Sequence, residues 1–247
     1  TAATSNTLDT AANLANLERI IAHRGSSSGR LLEIGSAKGR FLRLARERGF
    51  EIHGLELNEQ NYRASRQELG ESILNVDLSA AGYPDRHFDV IYMRDVIAHL
   101  PRPLDFLREC ARIAKPGCTL FIDTHNIDGL IHRVVRGRHT TVFGFMEPHH
   151  FSPRTIHRIC ELSGFKVREI RFESLDCTIA EMARHFRGST FTTVFPEQPG
   201  PMRRIFFRLL HSLFTRQPLR AIDRAATPRL ANALGRGSVM RVLAEKA

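Results

Sequence analysis

The sequence predicts an α/β fold: a doubly wound, mostly parallel sheet with helices on both faces, carrying a mainly helical insertion. Three observations lead there. Short apolar runs alternate with helical stretches through the first half of the chain, the pattern of a parallel sheet covered on both sides. A chain of 247 residues with 42% apolar content can bury one large core. Residues 174–236 separate two strand-like segments that such a core could join directly.

The elements follow in order. Residues 1–24 read as a helix, with Leu14, Leu17 and Ile21 spaced on one face. Gly25-Ser26-Ser27-Ser28-Gly29 breaks the pattern. A strand at Leu31-Leu32-Glu33-Ile34 enters the turn Gly35-Ser36-Ala37-Lys38-Gly39, and a helix runs from Phe41 to Arg48. Apolar runs at 51–57, 73–76, 88–93 and 119–123 add strands between helices at 58–69 and 103–114. A looser, basic region at 126–150 carries His132, His139, His149 and His150. Pro153 suits the first position of a helix that closes at Gly164. Phe165–Phe172 and residues 237–247 supply two more strands.

Thirty-six basic against 26 acidic residues give a net charge of +10, and only Lys38, Lys115, Lys166 and Lys246 of the basic set are lysines. Such arginine excess serves phosphate or anionic-membrane recognition, and equally reflects an arginine-favouring genome. Cys110, Cys118, Cys160 and Cys177 form no C-x-x-C pair, which suits buried thiols in a reducing compartment. No apolar run approaches the roughly 18 residues of a membrane span. The opening TAATSNTLDT lacks the basic-then-apolar layout of a signal peptide. The expectation is a soluble cytoplasmic protein.

The chemistry concentrates at strand ends. The turn Glu33-x-Gly35-x-x-x-Gly39 follows a buried strand and opens a helix, where glycines admit a ligand and the helix N-terminus favours anions. Glu56 ends the second strand, placed to accept both hydroxyls of a ribose. Asp77 ends the third, placed to meet an adenine amino group. Together these acids outline a nucleoside pocket along the sheet's carboxyl edge. A dinucleotide site would prefer G-x-G-x-x-G, and this turn reads G-S-A-K-G-R.

The runs LLEIGSAKGRFL, GLELN, NVDL, FDVIYMRDVIAHLPRP and LRECARIAKPGCTLFIDTHN resemble the class I S-adenosylmethionine-dependent methyltransferase family. PHHFSPRTIHRICELSGFKV resembles the stretch that closes the core in its small-molecule members, and GSVMRVLAEK resembles its last strand. The resemblance covers residues 30–125 and 147–173. It implies a Rossmann-like, seven-stranded sheet with the last strand antiparallel, and S-adenosylmethionine as cofactor. The core would comprise 1–173 and 237–247, with a cap loop at 126–150, and a helical lid would fill 174–236. Carried over by position, Glu33, Gly35, Ser36 and Gly39 would shape the turn around the methionine part. Glu56 would hold the ribose, Asp77 with Leu78 the adenine, and Arg94 would line the methionine end. Two departures stand out: Ala98 replaces the acid that often precedes His99, and Cys118 stands where a second glycine is common.

The implied activity is methyl transfer to a small-molecule or lipid-like acceptor in a biosynthetic pathway, with oxygen the expected atom. An oxygen nucleophile of high pKa needs a general base, and histidine suits neutral pH. His149 and His150 are the preferred bases, with His99 and His125 behind them. No H-E-x-x-H or carboxylate cluster suggests a metal. Residues 198–222 contain no acid, and Met202, Ile205, Phe206, Leu209, Leu210 and Leu213 make one apolar face flanked by arginines. That face suits a lid over the sheet. It also suits peripheral contact through 202–217 with the anionic inner surface of a membrane. Nucleic acid is disfavoured, because no Trp and only three Tyr offer stacking platforms. An RNA methyltransferase and a non-catalytic cofactor-binding scaffold subunit are the alternatives.

Overall fold

The computed structural model describes residues 2–130, 132, 147–173, 205, 208–209, 212–216 and 219–247. Within them lie α1 (Ala2–Arg24), β1 (Gly29–Ile34), α2 (Arg40–Glu47), β2 (Phe50–Leu55), α3 (Glu59–Leu69), β3 (Ile73–Leu74) and β4 (Phe88–Arg94). Next come α4 (Pro103–Ile113), β5 (Ala114–His125), α5 (Pro153–Leu162), β6 (Phe165–Glu173), α6 (Leu219–Ala233) and β7 (Val239–Lys246).

Local chemistry sets the helix starts. Asn58 caps α3, its Oδ1 accepting the Asn61 N–H at 3.0 Å. Ser152 and Thr155 satisfy each other reciprocally ahead of α5: Ser152 N donates to Thr155 Oγ1 and Thr155 N to Ser152 Oγ. Pro103 sits in the first turn of α4, where its missing N–H costs nothing.

The seven strands form one sheet in the order β3-β2-β1-β4-β5-β7-β6. The first five pair in parallel, with Leu31 opposite both Ile52 and Val90, and Tyr92 opposite Phe121. β7 runs the other way: Ala247 N donates to the carbonyl of Gly164 before β6, while Ser238 Oγ meets the carbonyl of Glu173 at its end. This is the mixed, doubly wound sheet that the sequence predicts, with the last strand antiparallel.

One sheet face buries Leu31, Val90, Tyr92, Phe121 and Leu243 in a cluster with Leu17 and Ile20 of α1 and Phe41, Leu42 and Ala45 of α2. Phe41 stacks on Tyr92 with ring centroids 3.7 Å apart. The alternate residues Leu32, Ile34, Ile91, Met93, Leu120 and Ile122 are buried too. Period-two alternation puts them on the opposite face, so these strands are covered on both sides.

Two boundaries differ from the sequence expectation. β3 spans only Ile73–Leu74, because the Asn75 side-chain amide donates to the carbonyls of Glu56 and Leu57 in place of further ladder bonds. Asp77 therefore lies beyond the strand instead of at its tip. β5 begins at Ala114, directly after α4, and runs through the exposed Pro116 and Gly117.

The chain divides into two compact units, Thr1–Asp123 with His157–Glu169 and Val242–Ala247, and Thr124–Ile156 with Ile170–Arg241. In the second, Asn126 is fully buried and holds the start of the cap: its N–H and side-chain amide donate to the carbonyls of Ser238 and Gly237. His139 and Cys177 lie outside the described residues. So do Met202, Phe206 and Leu210 of the predicted apolar face. No described helix is long and apolar enough to cross a membrane.

Candidate active site

The turn after β1 is built on left-handed backbone. Gly35 has φ +74°, and a Cβ there would sit 2.7 Å from Val96 Cγ2. Gly39, at φ +70°, starts α2, and a Cβ would meet Leu69 Cδ1 at 2.5 Å. Ala37 adopts φ +46° without being glycine, a conformation that persists only when its surroundings enforce it. Those surroundings are specific. Gly35 N and Ser36 N both donate to the Leu55 carbonyl at the end of β2, and Gly39 N donates to the Ser36 carbonyl.

Glu56 completes the bracket. Its Oε2 accepts the Ala37 N–H and its Oε1 the Asn58 N–H, each at 2.7 Å. Its own N–H donates to the Leu74 carbonyl. A carboxylate has about four acceptor positions, so two backbone bonds leave room for the paired hydroxyls of a ribose.

Asp77 is exposed and caps a turn: its Oδ1 accepts the Ser79 hydroxyl at 2.7 Å and the Ala80 N–H at 2.8 Å. The Ser79 bond first, and the Ala80 bond after it, hold its carboxyl below the usual aspartate value. Leu78 is buried beside it.

Glu33, Tyr92 and Phe121 lie side by side across β1, β4 and β5, with Arg94 opposite Asp123 one step further toward the carboxyl edge. The polar residues of α1 reach this row. Asn16 Nδ2 donates to Tyr92 Oη at 3.1 Å and to Asp123 Oδ2 at 3.4 Å. Arg94 Nη1 donates to Asn13 Oδ1 at 3.1 Å. Burial, then the charges of Glu33 and Asp123, push the Tyr92 hydroxyl far above its ordinary pKa. The sequence reading missed Asn13, Asn16 and Asp123. Their signal was present: Asn16 interrupts the apolar stripe of α1, and Asp123 interrupts the apolar run of β5.

The histidine candidates scatter. His99 is exposed on a short turn after β4, its N–H donating to the Val96 carbonyl. In the second unit His149 is half-buried with its ring 6.4 Å from that of Phe151, and His150 is exposed. His125, the last residue of β5, lies 3.9 Å from Glu147. Among the described residues no three His, Cys, Asp or Glu side chains converge as a metal site.

The first unit fits an adenosyl ligand with an amino-acid end: a glycine-lined turn, a braced carboxylate, and the Ser36 hydroxyl, buried without a hydrogen-bond partner beside that turn.

Comparison with known proteins agrees. A curated ubiquinone biosynthesis O-methyltransferase of Azoarcus sp. is 32% identical over 120 residues, 46% of this chain and 52% of that protein. One from Xanthomonas campestris is 27% identical over 122 residues, 47% of this chain and 51% of that protein. The chain thus spans about half the length of these curated relatives. A solved structure of a SAM dependent methyltransferase from Archaeoglobus fulgidus shares the fold with a TM-score of 0.59 at 20% identity, over 96% of this chain and 94% of that one. Residues 9–170 match the family described as methyltransferase domain. That span takes in every strand from β1 to β5 and most of β6, and the chain belongs to the class I S-adenosylmethionine-dependent methyltransferases.

Proposed function

We propose that this chain transfers a methyl group from S-adenosylmethionine to a small, lipid-like acceptor, at oxygen, as a step in biosynthesis. The observation that carries the reading is Glu56, whose carboxylate joins the end of β2 to the glycine turn and keeps acceptor positions free for a ribose. Glu33, Gly35, Ser36 and Gly39 shape the turn around the methionine part, Asp77 and Leu78 border the adenine, and Arg94 faces the amino-acid end. The curated relatives, named for O-methylation in ubiquinone biosynthesis, support oxygen as the atom and a prenylated ring as the kind of acceptor.

When bound, S-adenosylmethionine supplies an activated methyl group on a sulfonium. The chain then has to align the acceptor and exclude water. It also has to take the hydroxyl proton, and His149, His150 and His99 are the proposed bases.

Contact with a membrane surface belongs to the same proposal. Ile205, Leu209 and Leu213 repeat every four residues and are each more than half exposed. Arg208 and Arg216 flank them in a segment without acids. An exposed apolar stripe edged with arginine suits the anionic cytoplasmic face of a bilayer, where a lipid-like acceptor resides.

The test uses methyl-labelled S-adenosylmethionine with the protein and an extract of its source cells, split into an organic phase and a nucleic-acid precipitate. Label in the organic phase is expected. Label in the precipitate would transfer the reading to RNA, and no label in either would favour a non-catalytic scaffold.

A further inference from the structure

The polar row beneath α1 has one unmet demand. Asn16 is fully buried, and its side-chain amide is oriented by chemistry: Nδ2 must face the acceptor-only carboxylate of Asp123. That orientation leaves Asn16 Oδ1 buried without a hydrogen-bond donor. A buried acceptor left unpaired is costly. The group beside it, Asp123, is a carboxylate only 4% exposed, and Glu33 adds a second buried carboxylate two strands away across Tyr92. A buried acceptor oxygen next to buried negative charge calls for a cation that also donates hydrogen bonds. A primary ammonium has three N–H donors. Arg94, less buried and opposite Asp123, supplies the complementary charge for a carboxylate. A zwitterionic α-amino acid carries both groups on one carbon.

We infer that Asn16 and Asp123 bind the α-ammonium of the cofactor's methionine part, so that helix α1 is a working wall of the cofactor site as well as a cover for the sheet. The inference rests on the cofactor reading above and names residues that reading did not include. Asn13 positions Arg94 from the same helix, one turn earlier. α1 thus fixes both charged groups of the subsite through two asparagines spaced i, i+3, a spacing that places them on one helix face.

The experiment is calorimetric titration of the full chain with S-adenosylhomocysteine and with its deamino analogue, in which hydrogen replaces the amino group. The wild type should lose about 10- to 100-fold in affinity when the amino group is removed, the scale of a hydrogen-bonded charge. In Asp123→Asn and Asn16→Leu the loss should shrink to a few-fold, because the partner is already gone. An equal loss in wild type and both variants would overturn the inference, as would no loss in the wild type, which needs no variant to fold. Failure of the wild type to bind S-adenosylhomocysteine at all would instead overturn the cofactor reading. 5′-Methylthioadenosine, lacking the whole amino-acid end, should bind all three proteins alike. A purely structural role for Asn16 or Asp123 would weaken it in the variants too.

Discussion

Glu56 Oε2 accepts the backbone N–H of Ala37 at 2.7 Å, and that bond ties the end of β2 to the turn after β1. The second oxygen holds Asn58, the cap of α3. One carboxylate thus secures the backbone on both sides of the proposed nucleoside pocket. Glu56→Ala should lower stability by about 2–4 kcal/mol, since bonds to a charged acceptor are worth roughly 1.5–3 kcal/mol each and water recovers part. It should also weaken S-adenosylhomocysteine binding at least tenfold. Glu56→Gln keeps one acceptor oxygen and should fall between. Denaturant unfolding with and without the ligand checks both effects, and unchanged ligand affinity in Glu56→Ala would remove this residue from the pocket.

The left-handed turn gives a second prediction. Gly35→Ala places a methyl group 2.7 Å from Val96 Cγ2 on backbone at φ +74°. A left-handed non-glycine residue costs about 1–2 kcal/mol, before Val96 moves. Stability should fall by at least that amount. Gly35→Ala with Val96→Ala should recover the steric part only, measured as a double-mutant cycle.

Acid stability reports on Asp89. Burial alone would raise its carboxyl pKa, but the Lys115 ammonium at 2.7 Å and the Arg30 N–H at 2.8 Å outweigh it and hold the value below the ordinary one. A folded-state pKa below the unfolded value stabilises the protein at pH above the unfolded value of about 3.9. That contribution disappears as pH falls through the lower folded value. Lys115→Met should raise the Asp89 pKa and start the acid loss of stability at higher pH. Urea midpoints between pH 3 and 6, chosen as a range of about one unit or more around that value, test the sign.

The thiols should be inert. Burial pushes Cys110 well up, and Cys118 and Cys160 to about 12. The thiolate is the reactive form, so iodoacetamide near neutral pH should leave all three unmodified in the native protein and alkylate them after denaturation. Peptide mass spectrometry distinguishes the outcomes. Native labelling of Cys118 would mean that β5 opens locally.

Much of this was legible before any coordinates. Gly35 and Gly39 punctuate a strand–helix junction, and Glu56 follows an apolar run, so periodicity alone located them. What escaped was side-chain to backbone bonding, which leaves no periodic trace. The two backbone bonds of Glu56 are of this kind, and so is the Asn75 amide that ends β3 after two residues. Asn16 escaped for a related reason. A single asparagine on an apolar stripe reads as a tolerated spacer until its partners, Tyr92 and Asp123, are brought to it from far along the chain. The basic, apolar segment near 202–217 was legible as an amphipathic helix, and its described residues Ile205, Leu209 and Leu213 are exposed.

The most direct measurement is a crystal structure of the chain with S-adenosylhomocysteine. The ribose hydroxyls should lie within hydrogen-bond distance of Glu56 and the adenine against Leu78, with the amino group at Asp123 and Asn16. A nucleoside bound elsewhere, with Glu56 making only its bonds to Ala37 and Asn58, would contradict the account.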